Sequence, residues 1–237
     1  MKIIMPTTYF FPQTTSNLPT QNVETLKAIW RTIDADSCPH IYNFHLHTVH
    51  SDGQLQPESV IDQALALKLR GLAITDHHTV KGYEIAHNYL QSHQTSGQSL
   101  PQLWTGVEIT SLLLNTEVHI LGYGFNPHHG AIVPYLQGDA PVKLNAGADR
   151  VIAAIHQAGG LVVLAHPERY QKPATELIPE AVALGIDGVE TYYAYKNVSP
   201  WTPTPHKTAT VKALSEQYNL FNTCGTDTHG LNLLKRV

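Results

Sequence analysis

The 237-residue sequence predicts an α/β fold, specifically a distorted (β/α)7 barrel with a metal site at the C-terminal ends of its strands. Three observations predict it. From residue 41 onward short apolar runs alternate with amphipathic helical patterns; there are seven such runs; and six of them carry or closely precede a candidate metal ligand at or near their ends, the seventh carrying Glu190. In βα-repeat folds the carboxyl ends of successive strands converge on one rim, where functional residues gather. Seven strands rather than eight make the barrel distorted or incomplete.

Residues 1–40 read as an N-terminal extension, with Pro6, Pro12, Pro19 and Pro39 and no ligand block. Within it, residues 22–34 place Val23, Leu26, Ile29, Trp30 and Ile33 on one helical face, which predicts a helix docked on the main domain. Residues 41–237 make that domain. Its strands are expected at 41–47, 71–76, 103–108, 117–122, 161–166, 187–191 and 220–225, each an apolar run of strand length. The first helix starts near Pro57, buries Val60, Ile61, Ala64, Leu65 and Leu69, and stops at Gly71. Further helical patterns cover 81–93, 145–158, 173–184 and 206–218. Residues 126–144, with three prolines and two glycines, read as a short lid-like insertion over the rim.

Composition narrows the function. A formal charge of -4 offers no bulk attraction for nucleic acid, so any such binding must be local. The charged fraction is only 14%, whereas histidine reaches 15 residues, at least six of them in the strand-end blocks. Cys38 and Cys224 have no paired spacing, which fits a reducing cytoplasm without a structural disulfide. The N-terminus lacks the continuous apolar stretch of a signal peptide, and no apolar run approaches a membrane span. Nothing in the sequence calls for a protein partner.

The blocks themselves carry the chemistry. They supply nine candidate metal ligands: His45, His47, Asp52, His77, Glu108, His119, His166, Asp227 and His229. Six imidazoles and three carboxylates are too many for one ion; they suit two or three borderline divalent ions such as Mn, Fe or Zn, and argue against an all-oxygen Ca²⁺ cage. His45 and His47 stand two apart on a strand and so project to one face. Glu108, with two oxygens, is the best candidate to bridge two ions. His119 falls mid-strand and faces inward if Val118 and Ile120 face out. Asp76 is read as orienting an imidazole through a hydrogen bond.

Other residues face a substrate on this reading. Arg169 can clamp a phosphate in two-point fashion, or else pair with Glu168 or Glu176. His78 is a second candidate phosphate contact. Tyr192 and Tyr193, in an aromatic stretch with Tyr195 and Trp201, can stack on a base or pack under a loop. His128 and His129, in the lid, are weaker candidates.

Taken in order, HxHxxxSDG, TDH, GVE, an isolated strand histidine, AHPxRY and GTDxHG resemble the PHP (polymerase and histidinol phosphatase) superfamily over residues 41–230. The resemblance implies a trinuclear site: His45, His47, Glu108 and Asp227 for one ion, Glu108, His119 and His166 for the second, Asp52, His77 and His229 for the third. Asp52 in a Ser-Asp-Gly turn and AHPxRY look like the nucleotide-directed phosphoesterase branch, although only residues 120–165 separate His119 from His166, where that branch often carries a larger insertion. The expected activity is hydrolysis of phosphomonoesters of nucleotides, either nucleoside 3′,5′-bisphosphates or the 5′ ends of short RNA, by a hydroxide bridging two ions. Two alternatives stand beside it: a histidinol-phosphate or sugar-phosphate phosphatase, and a non-catalytic metal-binding PHP module.

Overall fold

Alternating burial decides which way each strand faces, and it separates a packed outer layer from an interior that holds the polar residues. The computed structural model describes residues 22–93 and 99–237. Pro6, Pro12 and Pro19, and the reading of the N-terminus as free of a signal peptide, lie outside the described residues.

The described elements run α1 (Val23–Trp30), β1 (Tyr42–Asn43), α2 (Pro57–Leu67), β2 (Gly71–Ala73), α3 (Lys81–Ser92), β3 (Gln102–Trp104), β4 (Gly106–Leu113), β5 (Thr116–Tyr123), α4 (Ala148–Gln157), β6 (Leu161–Leu164), α5 (Ala174–Ala183), β7 (Gly188–Tyr192), α6 (Pro205–Gln217) and β8 (Phe221–Cys224). Two sheets result, β1-β2-β3 and β4-β5-β6-β7-β8. The single run expected at 103–108 becomes two strands, because the chain leaves the first sheet at Thr105 and joins the second at Gly106. Gly106 permits this change of sheet: a Cβ there would collide with the Ile74 carbonyl oxygen. The two sheets form no continuous ladder around a closed ring, but isolated parallel bridges join them at Leu46–Thr228 and His77–Glu108.

Strand β5 runs antiparallel to both β4 and β6. The two-residue turn before it needs positive φ at both positions, and Leu114 and Asn115 adopt 51° and 58°. The reversal corrects one expectation. The site does not draw only on C-terminal strand ends, since β5 contributes His119 from its N-terminal half, which lies at the same rim as the end of β6.

On β5, Val118 and Ile120 point to the outer layer, where they pack with Val151, Ile155, Val162 and Leu164 beneath α4 and α5. Leu121 and Tyr123 point inward, joining Phe44, Val163, Ala165 and Tyr192. Into this inner cluster α1 inserts Leu26 and Trp30, both fully buried, with the Trp30 ring 5.2 Å from Tyr123. Asn22 caps α1 by accepting the Thr25 backbone N–H at 3.0 Å. A third cluster joins α2 and α3 through Val60, Ile61, Tyr83 and Ala86.

The expectation of two free thiols is overturned. Cys38 and Cys224 are disulfide-bonded, with Cα atoms 6.0 Å apart across a sequence separation of 186. Their spacing gave no sign of this because the pairing is made by folding, which lays the segment after α1 against the end of β8. The two cysteines are therefore no argument for a reducing compartment. No helix among the described residues is long and apolar enough to cross a membrane.

Candidate metal centre

The site begins with one buried carboxylate. Glu108, 1% exposed on β4, meets four imidazoles within 3.2 Å. Its Oε2 lies 2.9 Å from His45 Nε2 and 3.0 Å from His47 Nε2; its Oε1 lies 2.8 Å from His119 Nδ1 and 3.2 Å from His166 Nε2. His77 Nε2 stands farther off, 3.6 Å from Oε2. Each oxygen thus faces a different set of nitrogens, the arrangement expected of a bridging ligand.

Asp227 adds a second buried carboxylate. Its Oδ1 is 3.4 Å from His45 Nε2 and 3.2 Å from His47 Nε2. At the outer edge Asp52 Oδ2 lies 3.1 Å from His229 Nε2 and 3.7 Å from His77 Nε2. Three groups of ligand atoms therefore converge: His45, His47, Glu108 and Asp227; His47, Asp52, His77 and His229; and His77, Glu108 and His119. His166 reaches the last group through the Glu108 oxygen that His119 also meets. All nine sequence candidates come together, with His47, His77 and Glu108 each shared between two groups.

The donor set fits divalent metal. His47 Nε2 is buried within reach of two carboxylates yet has no hydrogen-bond partner, and His77 Nδ1 and His166 Nδ1 are likewise buried without one. His47 Nε2, 3.0 Å from Glu108 and 3.2 Å from Asp227 without a hydrogen bond to either, faces a point shared with both carboxylates, as a ligand atom does.

Charge distribution follows from the crowding. Burial opposes ionisation of Glu108 and Asp227, but the surrounding histidines outweigh it and hold both carboxyls well below the usual range. His45 and His47 respond in the opposite sense. Burial would deprotonate them, yet Glu190, Glu108 and Asp227 raise His45 well above its ordinary value, and Asp227 and Glu108 lift His47 to about 9. His77 falls to about 4, chiefly through burial. Burial also lowers His166 and His78.

Three residues of the site hold strained backbone. His78, His166 and Asp227 adopt positive φ of 55°, 25° and 54°. Such conformations cost roughly 1–3 kcal/mol each and persist only where neighbours enforce them. At His166 the enforcing contact is its N–H, which donates to Glu190 Oε2 at 2.9 Å. Gly225 is needed for a different reason: a Cβ on it would strike the Cβ of His45.

Glu190 is the functional residue that the sequence reading missed, although the seventh apolar run pointed to it. It is 1% exposed, and its Oε1 lies 2.9 Å from His45 Nδ1. A proton on that nitrogen leaves the His45 Nε2 lone pair facing Glu108 and Asp227. Asp76 has another task than the one expected: it meets no imidazole, but accepts from the Thr48 N–H at 2.6 Å and from the Thr48 and Ser51 hydroxyls, fixing the turn that presents Asp52.

The substrate-facing candidates divide. Arg169 pairs with neither Glu168 nor Glu176; its Nη1 donates to Asp227 Oδ2 and to the Tyr193 hydroxyl, both at 3.0 Å, while the side chain stays 38% exposed. His78 is buried, its Nε2 3.2 Å from Thr110 Oγ1 and its Nδ1 without a partner. The base-stacking reading of Tyr192 and Tyr193 is not met. Tyr192 packs in the inner cluster, and Tyr193 is 1% exposed with its hydroxyl donating to Asp227 Oδ2 at 2.6 Å. Neither ring has a free face: Tyr192, the last residue of β7, and Tyr193, just beyond it, are both buried. His128 and His129 are exposed.

A model of the PHP domain matches residues 43–184. The chain belongs to the PHP family. Among curated PHP-related proteins, it is 38% identical over 40% of its length to the 5′-3′ exoribonuclease Rnm of Salmonella typhimurium, and 26% identical over 80% of its length to that of Escherichia coli. It is 32% identical over 49% of its length to a 3′,5′-nucleoside bisphosphate phosphatase of Chromobacterium violaceum. These matches span 31%, 85% and 39% of the respective relatives. A solved structure of a proposed metal-dependent phosphoesterase from Bifidobacterium adolescentis superposes with a TM-score of 0.66 at 21% identity, covering 83% of this chain and 93% of that one. That likeness establishes the PHP-like α/β fold.

Proposed function

We propose that the protein is a metal-dependent phosphoesterase that hydrolyses phosphomonoesters of nucleotides, either nucleoside 3′,5′-bisphosphates or the 5′ ends of short RNA. The observation that carries this reading is the Glu108-centred cluster with the half-exposed Arg169 guanidinium at its edge. The names of the exoribonuclease and bisphosphate phosphatase relatives support the nucleotide substrate.

Two or three divalent ions, Mn, Fe or Zn, are held by His45, His47, Asp52, His77, Glu108, His119, His166, Asp227 and His229 on this reading. Ions so bound lower the pKa of water and neutralise charge on a phosphoryl group. The chain's own residues do the rest. Glu190 sets the His45 tautomer, Glu108 stays ionised between its imidazoles, and the N–H groups of Arg169 that are not spent on Asp227 take phosphoryl oxygens. His78 supplies a second, neutral donor. No side-chain nucleophile is needed.

The same proposal takes the two sheets as arcs of a distorted (β/α)7 barrel; the bridges at Leu46–Thr228 and His77–Glu108 support it. It treats residues 41–237 as the catalytic unit, residues 1–40 as an extension carrying α1, and residues 126–144 as a short lid.

The test is phosphate release from adenosine 3′,5′-bisphosphate, adenosine monophosphate, a short 5′-phosphorylated RNA and histidinol phosphate, with Mn²⁺ supplied and then chelated. Metal-dependent release from the bisphosphate or the RNA is expected, and is abolished by His166→Ala. Preference for histidinol phosphate would move the assignment to that phosphatase class. Silence on all four with metal bound would leave a non-catalytic module.

A further inference from the structure

The last ligand block depends on a residue seven to nine positions beyond it. Asp227 turns only Oδ1 toward His45 and His47; its Oδ2 accepts from Tyr193 at 2.6 Å, from Arg236 Nε at 2.9 Å and from Arg169 Nη1 at 3.0 Å. The chain then doubles back. The His229 N–H donates to the Arg236 carbonyl at 2.6 Å, the Gly230 N–H to the same oxygen at 3.2 Å, and the Thr228 hydroxyl to the Lys235 carbonyl at 3.0 Å. Leu233, fully buried, anchors this return, and Asn43 Nδ2 donates to its carbonyl at 3.1 Å. Arg236 therefore touches Asp227 with its side chain and His229 with its backbone, and those two residues belong to different ligand groups.

We propose that Arg236 is a positioning residue: it fixes Asp227 as a one-oxygen ligand and releases Arg169 to engage the substrate phosphate. This rests on the phosphoesterase reading. A carboxylate oxygen has about two lone-pair sites, so three donors on Oδ2 are one more than it requires. When Arg169 turns to a phosphate, Tyr193 and Arg236 still satisfy Asp227. Without Arg236, Arg169 is the sole guanidinium on a buried carboxylate, and the two tasks compete. A division of labour follows, with Arg236 serving the ligands and Arg169 the substrate.

The experiment compares wild type with Arg236→Ala, Arg236→Lys and Arg169→Ala, using Mn²⁺ binding by titration calorimetry and kcat and KM on 4-nitrophenyl phosphate. Arg236→Ala is expected to weaken Mn²⁺ binding by about 10- to 100-fold and to lower kcat to a similar degree, as loss of a ligand's supporting partner does. Arg236→Lys recovers part of both, and added guanidinium chloride at millimolar concentration restores part of the Ala variant's kcat. Arg169→Ala raises KM while leaving Mn²⁺ affinity within about threefold, since Asp227 keeps two donors. Equal effects of the two Ala variants on Mn²⁺ affinity, or wild-type affinity and kcat in Arg236→Ala, would overturn the proposal. If Arg236→Ala does not fold, the Lys variant decides: unchanged Mn²⁺ affinity and kcat together refute it. Wild type that binds Mn²⁺ but releases no phosphate refutes the phosphoesterase reading alone, and the Mn²⁺ measurements still judge Arg236. Wild type that binds no Mn²⁺ refutes both.

Discussion

Glu190→Gln isolates the orienting role of a residue placed to touch no ion. Glu190 accepts twice: its Oε2 from the His166 N–H at 2.9 Å, and its Oε1 from His45 Nδ1 at 2.9 Å. A glutamine of the same shape accepts only once. If its oxygen keeps the His166 N–H, its amide faces His45 Nδ1, which then must accept; the proton moves to Nε2, and His45 no longer offers a lone pair toward Glu108 and Asp227. If the amide is flipped, His45 keeps its tautomer, but two donors face each other at His166. The first arrangement costs the lone pair that faces the ligand carboxylates, and the second a buried hydrogen bond of about 1–3 kcal/mol, which corresponds to roughly 5- to 150-fold in a binding constant. Calorimetric titration of metal-free protein with Mn²⁺ should therefore show the tightest step weakened by one to two orders of magnitude, with an unchanged circular dichroism spectrum. Phosphate release at subsaturating Mn²⁺ should fall in proportion and recover partly at high Mn²⁺. Wild-type Mn²⁺ affinity in a folded Glu190→Gln variant would refute the tautomer argument.

Three other outcomes follow from the same geometry. In metal-free protein His77 titrates at about 4 and His47 at about 9, against 6.5 for either when unfolded; the His77 contribution is present above 6.5 and lost as pH falls through 4, and the His47 contribution is present below 6.5 and lost as pH rises through 9. The melting temperature without metal should peak near 6.5 and drop by roughly 5 °C toward either side, so a flat profile would contradict these environments. Gly225→Ala forces a methyl group onto His45; it should destabilise the fold by about 1–3 kcal/mol and weaken Mn²⁺ binding, and a variant with wild-type melting and binding would show that the backbones can separate freely. The Cys38–Cys224 bond closes a loop spanning 186 positions, so Cys38→Ser should lower stability by about 2–5 kcal/mol in a denaturant titration of air-oxidised protein, and an intact-mass measurement finding both thiols free in the wild type would remove the basis for that loss.

The sequence by itself determined the ligand chemistry and the rhythm of elements. Apolar runs ending in His, Asp or Glu are local patterns, and each survives as a strand or a rim residue because burial of one face is decided by neighbours a few positions away. His119 illustrates the boundary. Its inward orientation followed from Val118 and Ile120, whereas its place at the rim came from the β4–β5 reversal together with pairing against β6 some forty residues on. Tyr192 and Tyr193 show the same limit: an aromatic pair looks alike in sequence whether it lines a groove or fills an interior. Only the tertiary structure joined Cys38 to Cys224, gave Glu190 to His45 and His166, moved Asp76 from an imidazole to the 48–52 turn, and brought Arg236 back onto Asp227. Each of these pairings except the last spans at least 24 positions, and even Arg236 acts through a chain reversal fixed by burying Leu233. Contacts of that kind are selected by packing of the whole chain, not by the residues that flank them.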